Sequence, residues 1–237
     1  MIRRPLRYRL TRLTVPHEVS VVNRSFRARL VCCLLTTGLP VAASALPAGP
    51  EITINIYNDA RVSEGILRQA EHEAARIFQN AGLDIAWIAC QPSKTSPITA
   101  AACRSPLGLT HLALRIVPWS SHLGDSIFGS AFLSKDGDGV YCDVFYPSVE
   151  TLHRDSDASS SRVLGHVMAH EIGHLLLGTN AHSALGIMRP HWQGEELRRI
   201  GMGTLLFTPQ QVRHIQARLV SISATLAVSD ERMNNEQ

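Results

Sequence analysis

Residues 170–190 read HEIGHLLLGTNAHSALGIMRP, and the interpretation of the whole chain starts from this stretch. It begins within an apolar run of helical spacing, residues 160–177, and Gly178 ends that run. His170 and His174 are four residues apart, so on a helix of about 3.6 residues per turn their imidazoles point the same way. Two imidazoles on one helix face can reach a single metal ion.

The residue after the first histidine supplies a carboxylate. Glu171 projects about 100° around the helix from His170, which places it beside the ion and not on it. From there it can accept a proton from metal-activated water. Zinc (Zn2+) is the predicted cofactor, because imidazole ligands in an open tetrahedral site suit zinc, which activates water at neutral pH.

A catalytic zinc site needs a third protein ligand. His182 is the leading candidate, because a glycine at position 178 permits a backbone reversal that would bring residues 179–182 back toward the metal. The alternative is a gluzincin-type site, in which Glu195 or Glu196 supplies the third ligand. A glutamate pair at the start of a short helix also follows from the helix dipole alone.

Other histidines leave two further readings open. His166 lies one turn before His170, but three histidines at this spacing span about 12 Å on a straight helix, so it is expected to pack or to support the ligands. A closed structural zinc site would need a fourth protein ligand, from His166 or His191. A zinc-binding module without proteolysis is the other alternative.

Residues 170–190 resemble the metzincin zinc endopeptidases, whose signature is H-E-x-x-H-x-x-G-x-x-H followed by a methionine turn. The matrixin branch is nearest: a serine follows its third histidine, and a proline lies two residues after its methionine. Here these residues are Ser183, Met188 and Pro190. Two spacings differ, since the glycine falls four residues after the second histidine and not three, and His182 falls eight after it and not six.

The resemblance implies a metzincin-like α+β fold with a twisted, mostly parallel sheet of about five strands, an active-site helix and a small C-terminal helical subdomain. It implies a zinc-dependent endopeptidase with Glu171 as general base and Met188 as an apolar floor below the metal. A peptide or protein substrate would add as a strand along the sheet edge. The implied zinc ligands are His170, His174 and His182, and the implied substrate-binding residues are Gly129, Ser130, Ala131 and Phe132.

Periodicity along the rest of the chain predicts one domain, residues 46–228, followed by a flexible tail, 229–237. Two Asp-Gly pairs at residues 136–139 predict a hairpin turn, although their carboxylates could also bind calcium. Helices are predicted between Ser63 and Gly82, over 160–177, and from Thr208 onward. Strands are predicted at 52–57, 83–89, 111–117, 128–134 and 140–146.

Residues 1–45 are predicted to be a signal peptide. They hold eight arginines against one acidic residue, then an uncharged run from Leu30 that ends in the small-x-small pattern Ala43-Ser44-Ala45. That run is shorter than the roughly 20 residues that span a bilayer, so no stable membrane span is expected. Without this segment, 15 basic residues face 19 acidic residues, which argues against a nucleic-acid partner. The signal pattern predicts a secreted or periplasmic protein, and a monomer is expected.

Cysteine usage agrees with export. Cys90 and Cys103 bracket a loop rich in Pro, Ser, Thr and Ala, and we expect a disulfide between them. Cys142 lies in an alternating strand pattern and is expected to be a buried free thiol.

Overall fold

The computed structural model describes residues 51–90, 97–119 and 127–235, so the predicted signal peptide lies outside the described residues. These residues form five strands and six helices. In chain order they are β1 (Glu51–Asn58), α1 (Glu64–Gln79), β2 (Asp84–Ala89), α2 (Pro97–Ala102), β3 (His111–Val117), β4 (Gly129–Phe132), β5 (Tyr141–Phe145), α3 (Tyr146–Arg154), α4 (Ser160–Leu177), α5 (Gly194–Met202) and α6 (Pro209–Asn235).

The five strands form one mixed sheet in the order β2-β1-β3-β5-β4. The pairings of β1 with β2, β1 with β3 and β3 with β5 are parallel. β4 pairs antiparallel with β5 across the predicted Asp-Gly turn and lies at one edge. The expected α+β class and five-stranded sheet are therefore confirmed, and the antiparallel edge strand makes the sheet mixed.

The core lies between one face of this sheet and helices α1 and α4. Ile52, Ile54 and Ile56 alternate along β1 and are buried, as a strand with one covered face requires. The two helices approach closely at Gly165, where an added Cβ would lie 2.7 Å from the carbonyl oxygen of Ala70. Because Gly165 has no side chain, α4 can pack closely against α1.

Helix α4 has the bounds that its apolar spacing predicts. The Ser159 side chain accepts a hydrogen bond from the Arg162 N–H at its N-terminus, and Gly178 ends it in a left-handed conformation with φ 66°. Almost every residue of α4 is buried, as in a helix that is apolar all round. A polar motif in this helix must therefore be satisfied inside the protein.

Some elements differ from the sequence-based expectation. α2 and α3 have no predicted counterpart; α3 begins directly after β5, and its N-cap, Phe145, makes no side-chain capping bond that a sequence could reveal. α6 continues to Asn235, past the start predicted for a flexible tail. β4 is three residues shorter than expected: it begins one residue later, and it ends two residues earlier because Ser134 already bonds across the turn, from its N–H to the Asp138 carbonyl.

Cys90 and Cys103 form a disulfide, and Cys142 is a buried free thiol. Among the described residues, no helix is both long and apolar enough to cross a bilayer.

Candidate metal centre

Three histidines from α4 and the loop after it converge. His170 and His174 project from α4, and His182 lies eight residues after His174 in the loop that begins at Gly178. Their ligand nitrogens all lie within 4.8 Å of one another, and within the described part of the chain this is the one group of three or more metal-competent side chains. The His182 ring stacks on His170 and lies edge-on to His174.

Backbone carbonyls orient the two helix histidines. His170 Nδ1 lies 2.8 Å from the Ile187 oxygen, and His174 Nδ1 lies 2.8 Å from the Thr179 oxygen. A carbonyl oxygen only accepts, so each Nδ1 carries the proton and donates. Burial lowers the pKa of His170 to about 3 and that of His174 to about 4, which keeps both rings neutral at pH 7.

The two Nε2 atoms of these rings face each other at 3.1 Å. With both protons on Nδ1, each Nε2 presents a lone pair, and two lone pairs at that distance repel unless a cation lies between them. The carbonyls of Ile187 and Thr179 fix the tautomer and the orientation of the two rings, as hydrogen-bond partners of zinc-binding histidines usually do. The donor set therefore fits a zinc ion.

Glu171 is buried beside the histidines and against the edge strand β4. Its side chain is only 3% exposed, and burial, with a smaller contribution from the charge of Asp143, raises its carboxyl pKa well above the usual range. A Cβ on Gly129 would lie 2.7 Å from Cγ and Cδ of Glu171 and 2.1 Å from the Asp143 oxygen. The absence of a side chain at Gly129 thus leaves the room that the carboxyl group occupies.

The remaining residues expected to bind substrate lie in or beside that edge. Ser130 is half-buried, Ala131 is buried, and Phe132 is exposed and packs on the Tyr141 ring. Glu171 packs directly against Gly129, the first of the four. Within the described residues β4 pairs with β5 alone, so its other side is a strand edge.

Met188 packs under the part of α4 that carries the two histidines. It is buried, and a Cβ on Gly173 would lie 2.8 Å from its sulfur. Gly173 directly precedes His174 in the chain. A glycine at this position therefore allows the thioether to contact the backbone of the helix.

Trp192 contacts the site through a hydrogen bond that the sequence did not reveal. Its Nε1–H donates to the Ile187 carbonyl at 3.2 Å, the same oxygen that accepts from His170. The indole is buried, lies edge-on to His170 and packs on Phe128 with ring centroids 4.4 Å apart. No periodicity or spacing signals a shared acceptor of this kind.

Three of the alternative ligands, Glu195, Glu196 and His166, are not part of the three-histidine cluster. Glu196 accepts a hydrogen bond from Arg189 at 2.6 Å and from the Gln193 N–H, while Glu195 pairs with Arg198. His166 is fully buried, and its Nδ1 donates to the Arg162 carbonyl.

Comparison with known proteins identifies similar folds. No protein-family model and no curated protein sequence matches the chain. Among solved structures it is similar to a zinc-dependent peptidase from Methanocorpusculum labreanum, with a TM-score of 0.44 and 18% identity over 68% of this chain and 99% of that one. It is also similar to archaemetzincin from Methanopyrus kandleri, with a TM-score of 0.42 and 16% identity over 74% of this chain and 99% of that one. At these identities the similarity assigns no role to any residue.

Proposed function

We propose that this protein is an exported, zinc-dependent endopeptidase of metzincin type, with a motif closest to that of the matrixins. His170, His174 and His182 hold the zinc, and Glu171 is the general base. The observation that carries this proposal is the convergence of three imidazoles, two of them oriented by backbone carbonyls, next to a buried carboxyl group.

The chain's own groups divide the chemistry between them. Bound zinc supplies Lewis acidity, which polarises a peptide carbonyl and lowers the pKa of water. The Glu171 carboxylate accepts the proton that the attacking water loses and later donates it to the leaving amine. Burial raises the pKa of this carboxyl group, whereas the positive charge of bound zinc would lower it, so the carboxylate that accepts the proton would depend on the metal.

Substrate binding is proposed along β4. An extended peptide would pair with the free side of the strand Gly129–Phe132, so that main-chain hydrogen bonds supply affinity and side-chain pockets supply selectivity. Because Glu171 packs against Gly129, a peptide on this edge would have its scissile bond close to the general base. Met188 would provide the apolar floor below the metal.

Export is proposed from the leader pattern in residues 1–45, with the Cys90–Cys103 disulfide supporting an oxidising compartment. N-terminal sequencing of protein recovered from a secretory host should begin at Leu46.

The zinc ligands and the base are tested separately. Purified wild-type protein should hold one zinc per chain by elemental analysis, H182A should lose it, and E195A/E196A should retain it. If H182A retains zinc and E195A/E196A loses it, the site is of gluzincin type, with a glutamate as the third ligand. A wild-type protein that holds no zinc after incubation with excess zinc would reject the proposal.

Hydrolysis tests the general base. E171Q should keep its zinc and lose turnover of a peptide library by about 100-fold or more, because general acid–base catalysis contributes that much. E150Q, at an exposed glutamate of α3, is the matched control and should cleave like wild type. A zinc-loaded wild type that cleaves no peptide would point to the non-proteolytic zinc-binding module.

A further inference from the structure

The third histidine of the cluster is held differently from the other two. His170 and His174 each donate a ring N–H to a backbone carbonyl. His182 is exposed, and within the described residues no hydrogen bond holds its ring. Apart from its ring contacts with His170 and His174, its place is therefore set by the backbone that carries it.

That backbone is fixed at the next residue, Ser183. The Ser183 N–H donates to the Met188 carbonyl at 2.9 Å, and its hydroxyl donates to the Leu185 carbonyl at 2.7 Å. The same hydroxyl accepts a hydrogen bond from Nε2 of Gln211, at 2.9 Å and 28 residues away. Hydrogen bonds within the turn that follows His182 thus fix its shape, and the bond from Gln211 holds the turn against α6.

Gln211 makes this attachment with a carboxamide whose two ends are both engaged. Its Oε1 accepts from the Thr208 backbone N–H at 2.8 Å, while the backbone N–H of Gln211 donates to the Thr208 hydroxyl. This reciprocal pair is the capping box of α6. Because Oε1 must face the Thr208 N–H, Nε2 is left to donate to Ser183, and Gln211 itself is only 9% exposed.

The segment before α6 supports the same loop at a second point. The Ile187 N–H donates to the Leu206 carbonyl at 2.9 Å. Gly186 adopts φ 76°, and a Cβ there would lie 2.9 Å from both the Leu206 oxygen and Thr208 Cγ2. Residues 206–211 therefore support the loop, and the Gln211 side chain bonds to Ser183, the residue after His182.

We propose that Gln211 is a positioning residue for the third metal ligand, acting through Ser183 to hold His182 against the other two histidines. This inference rests on the proposed function, because it assumes that the three histidines bind zinc. The capping box and the link to Ser183 use different atoms of Gln211, so one substitution can separate them.

Q211E makes that separation. A glutamate keeps the oxygen that accepts from Thr208, so the cap of α6 is retained, but it cannot donate to Ser183. Q216E is the matched control: Gln216 lies on the same helix and donates to the Ala81 carbonyl at 2.9 Å, away from the loop. S183A removes the hydroxyl and leaves the cap intact, whereas S183T restores a hydroxyl.

Zinc affinity is measured by chelator competition, with the Tm of the zinc-free protein as the second readout. We expect Q211E and S183A to bind zinc about 10-fold to 100-fold more weakly than wild type, as is usual when an outer hydrogen-bond partner is removed. Q216E and S183T should bind like wild type. The Tm of zinc-free Q211E should match that of Q216E, which excludes general destabilisation as the cause.

The outcomes distinguish this inference from the proposed function. If H182A loses zinc affinity but Q211E and S183A bind like wild type, Gln211 does not position the ligand and the three-histidine site stands. If H182A binds zinc like wild type, the proposed ligand set itself fails. Equal losses in Q211E and Q216E would also overturn the inference, since they would reflect added charge on α6.

Discussion

The carbonyl of Ile187 accepts two hydrogen bonds, one from His170 and one from Trp192. The orientation of one peptide group is thus tied to an indole and to an imidazole of the metal cluster at once. A change at Trp192 should therefore reach the cluster through this oxygen although the indole contributes no ligand atom.

W192F tests this coupling. Phenylalanine keeps an aromatic ring against Phe128 but removes the Nε1–H, so the Ile187 peptide loses one of its two donors. We expect zinc affinity to fall about tenfold. This is the lower end of the effect usual for loss of an outer hydrogen-bond partner, because the hydrogen bond from His170 to the Ile187 carbonyl remains. The measurement is chelator competition on the folded variant.

The chain offers a matched control in Trp87. Its Nε1 is buried without a hydrogen-bond partner among the described residues, so W87F makes the same substitution without breaking a described hydrogen bond. W87F should leave zinc affinity unchanged. Equal affinities for W192F and wild type would show that the indole packs beside the site without orienting it.

At the scale of elements, α6 also holds the end of α4. Arg218 donates to the Gly137 carbonyl at 2.8 Å and to Asp138 Oδ1 at 2.7 Å. Its guanidinium covers the left-handed Gly178, where an added Cβ would lie 2.6 Å from Nη1. The β4–β5 turn, the C-terminus of α4 and α6 therefore meet at one side chain, just before the loop that leads to His182.

R218A should lower the free energy of unfolding by about 1–3 kcal/mol, because it removes a charged hydrogen bond to a carbonyl in a half-buried setting. D138A removes only the ion pair with an exposed carboxylate, so we expect it to cost about 0–1 kcal/mol. Urea unfolding of both variants gives the two values. A loss in D138A as large as in R218A would mean that the ion pair, and not the carbonyl contact, holds the turn.

Local patterns predicted the elements whose signals lie within a few residues. The apolar spacing and Gly178 predicted α4 with its bounds, and the paired Asp-Gly dipeptides predicted the β4–β5 turn. α3 was not predicted: Pro147 in its first turn is a helix-start signal, but its N-cap makes no side-chain capping bond and the helix follows a strand directly. Local signals therefore sufficed to predict an element where capping residues and apolar periodicity mark its ends.

The candidate site divides in the same way. His170, Glu171 and His174 follow from helical spacing, and His182 was proposed from the glycine before its loop. The contacts of Gln211 with Ser183 and of Trp192 with Ile187 could not be found from spacing, because they depend on the path of two loops through space. Packing between distant segments decides that path, and no local propensity encodes it.

At the scale of the whole molecule, the disulfide and the metal centre lie at opposite edges of the sheet. Cys90 directly follows β2, one edge strand, whereas Glu171 packs against β4, the other. The Tyr57 hydroxyl links β1 to the Cys103 carbonyl. Stability from the disulfide should therefore be separable from metal binding.

C90S/C103S should lose about 3 kcal/mol of stability, because the bond closes a loop with a sequence separation of 13. At roughly 2–4 °C per kcal/mol for a domain of this size, Tm should fall by about 6–12 °C. Zinc affinity at 25 °C should match wild type.

Reduction of wild type should reproduce both results, because burial raises the pKa of the remaining thiol, Cys142, and keeps it unreactive. A loss of zinc affinity in the double variant would show that strain is transmitted across the sheet, and the two edges would then have to be treated as one cooperative unit.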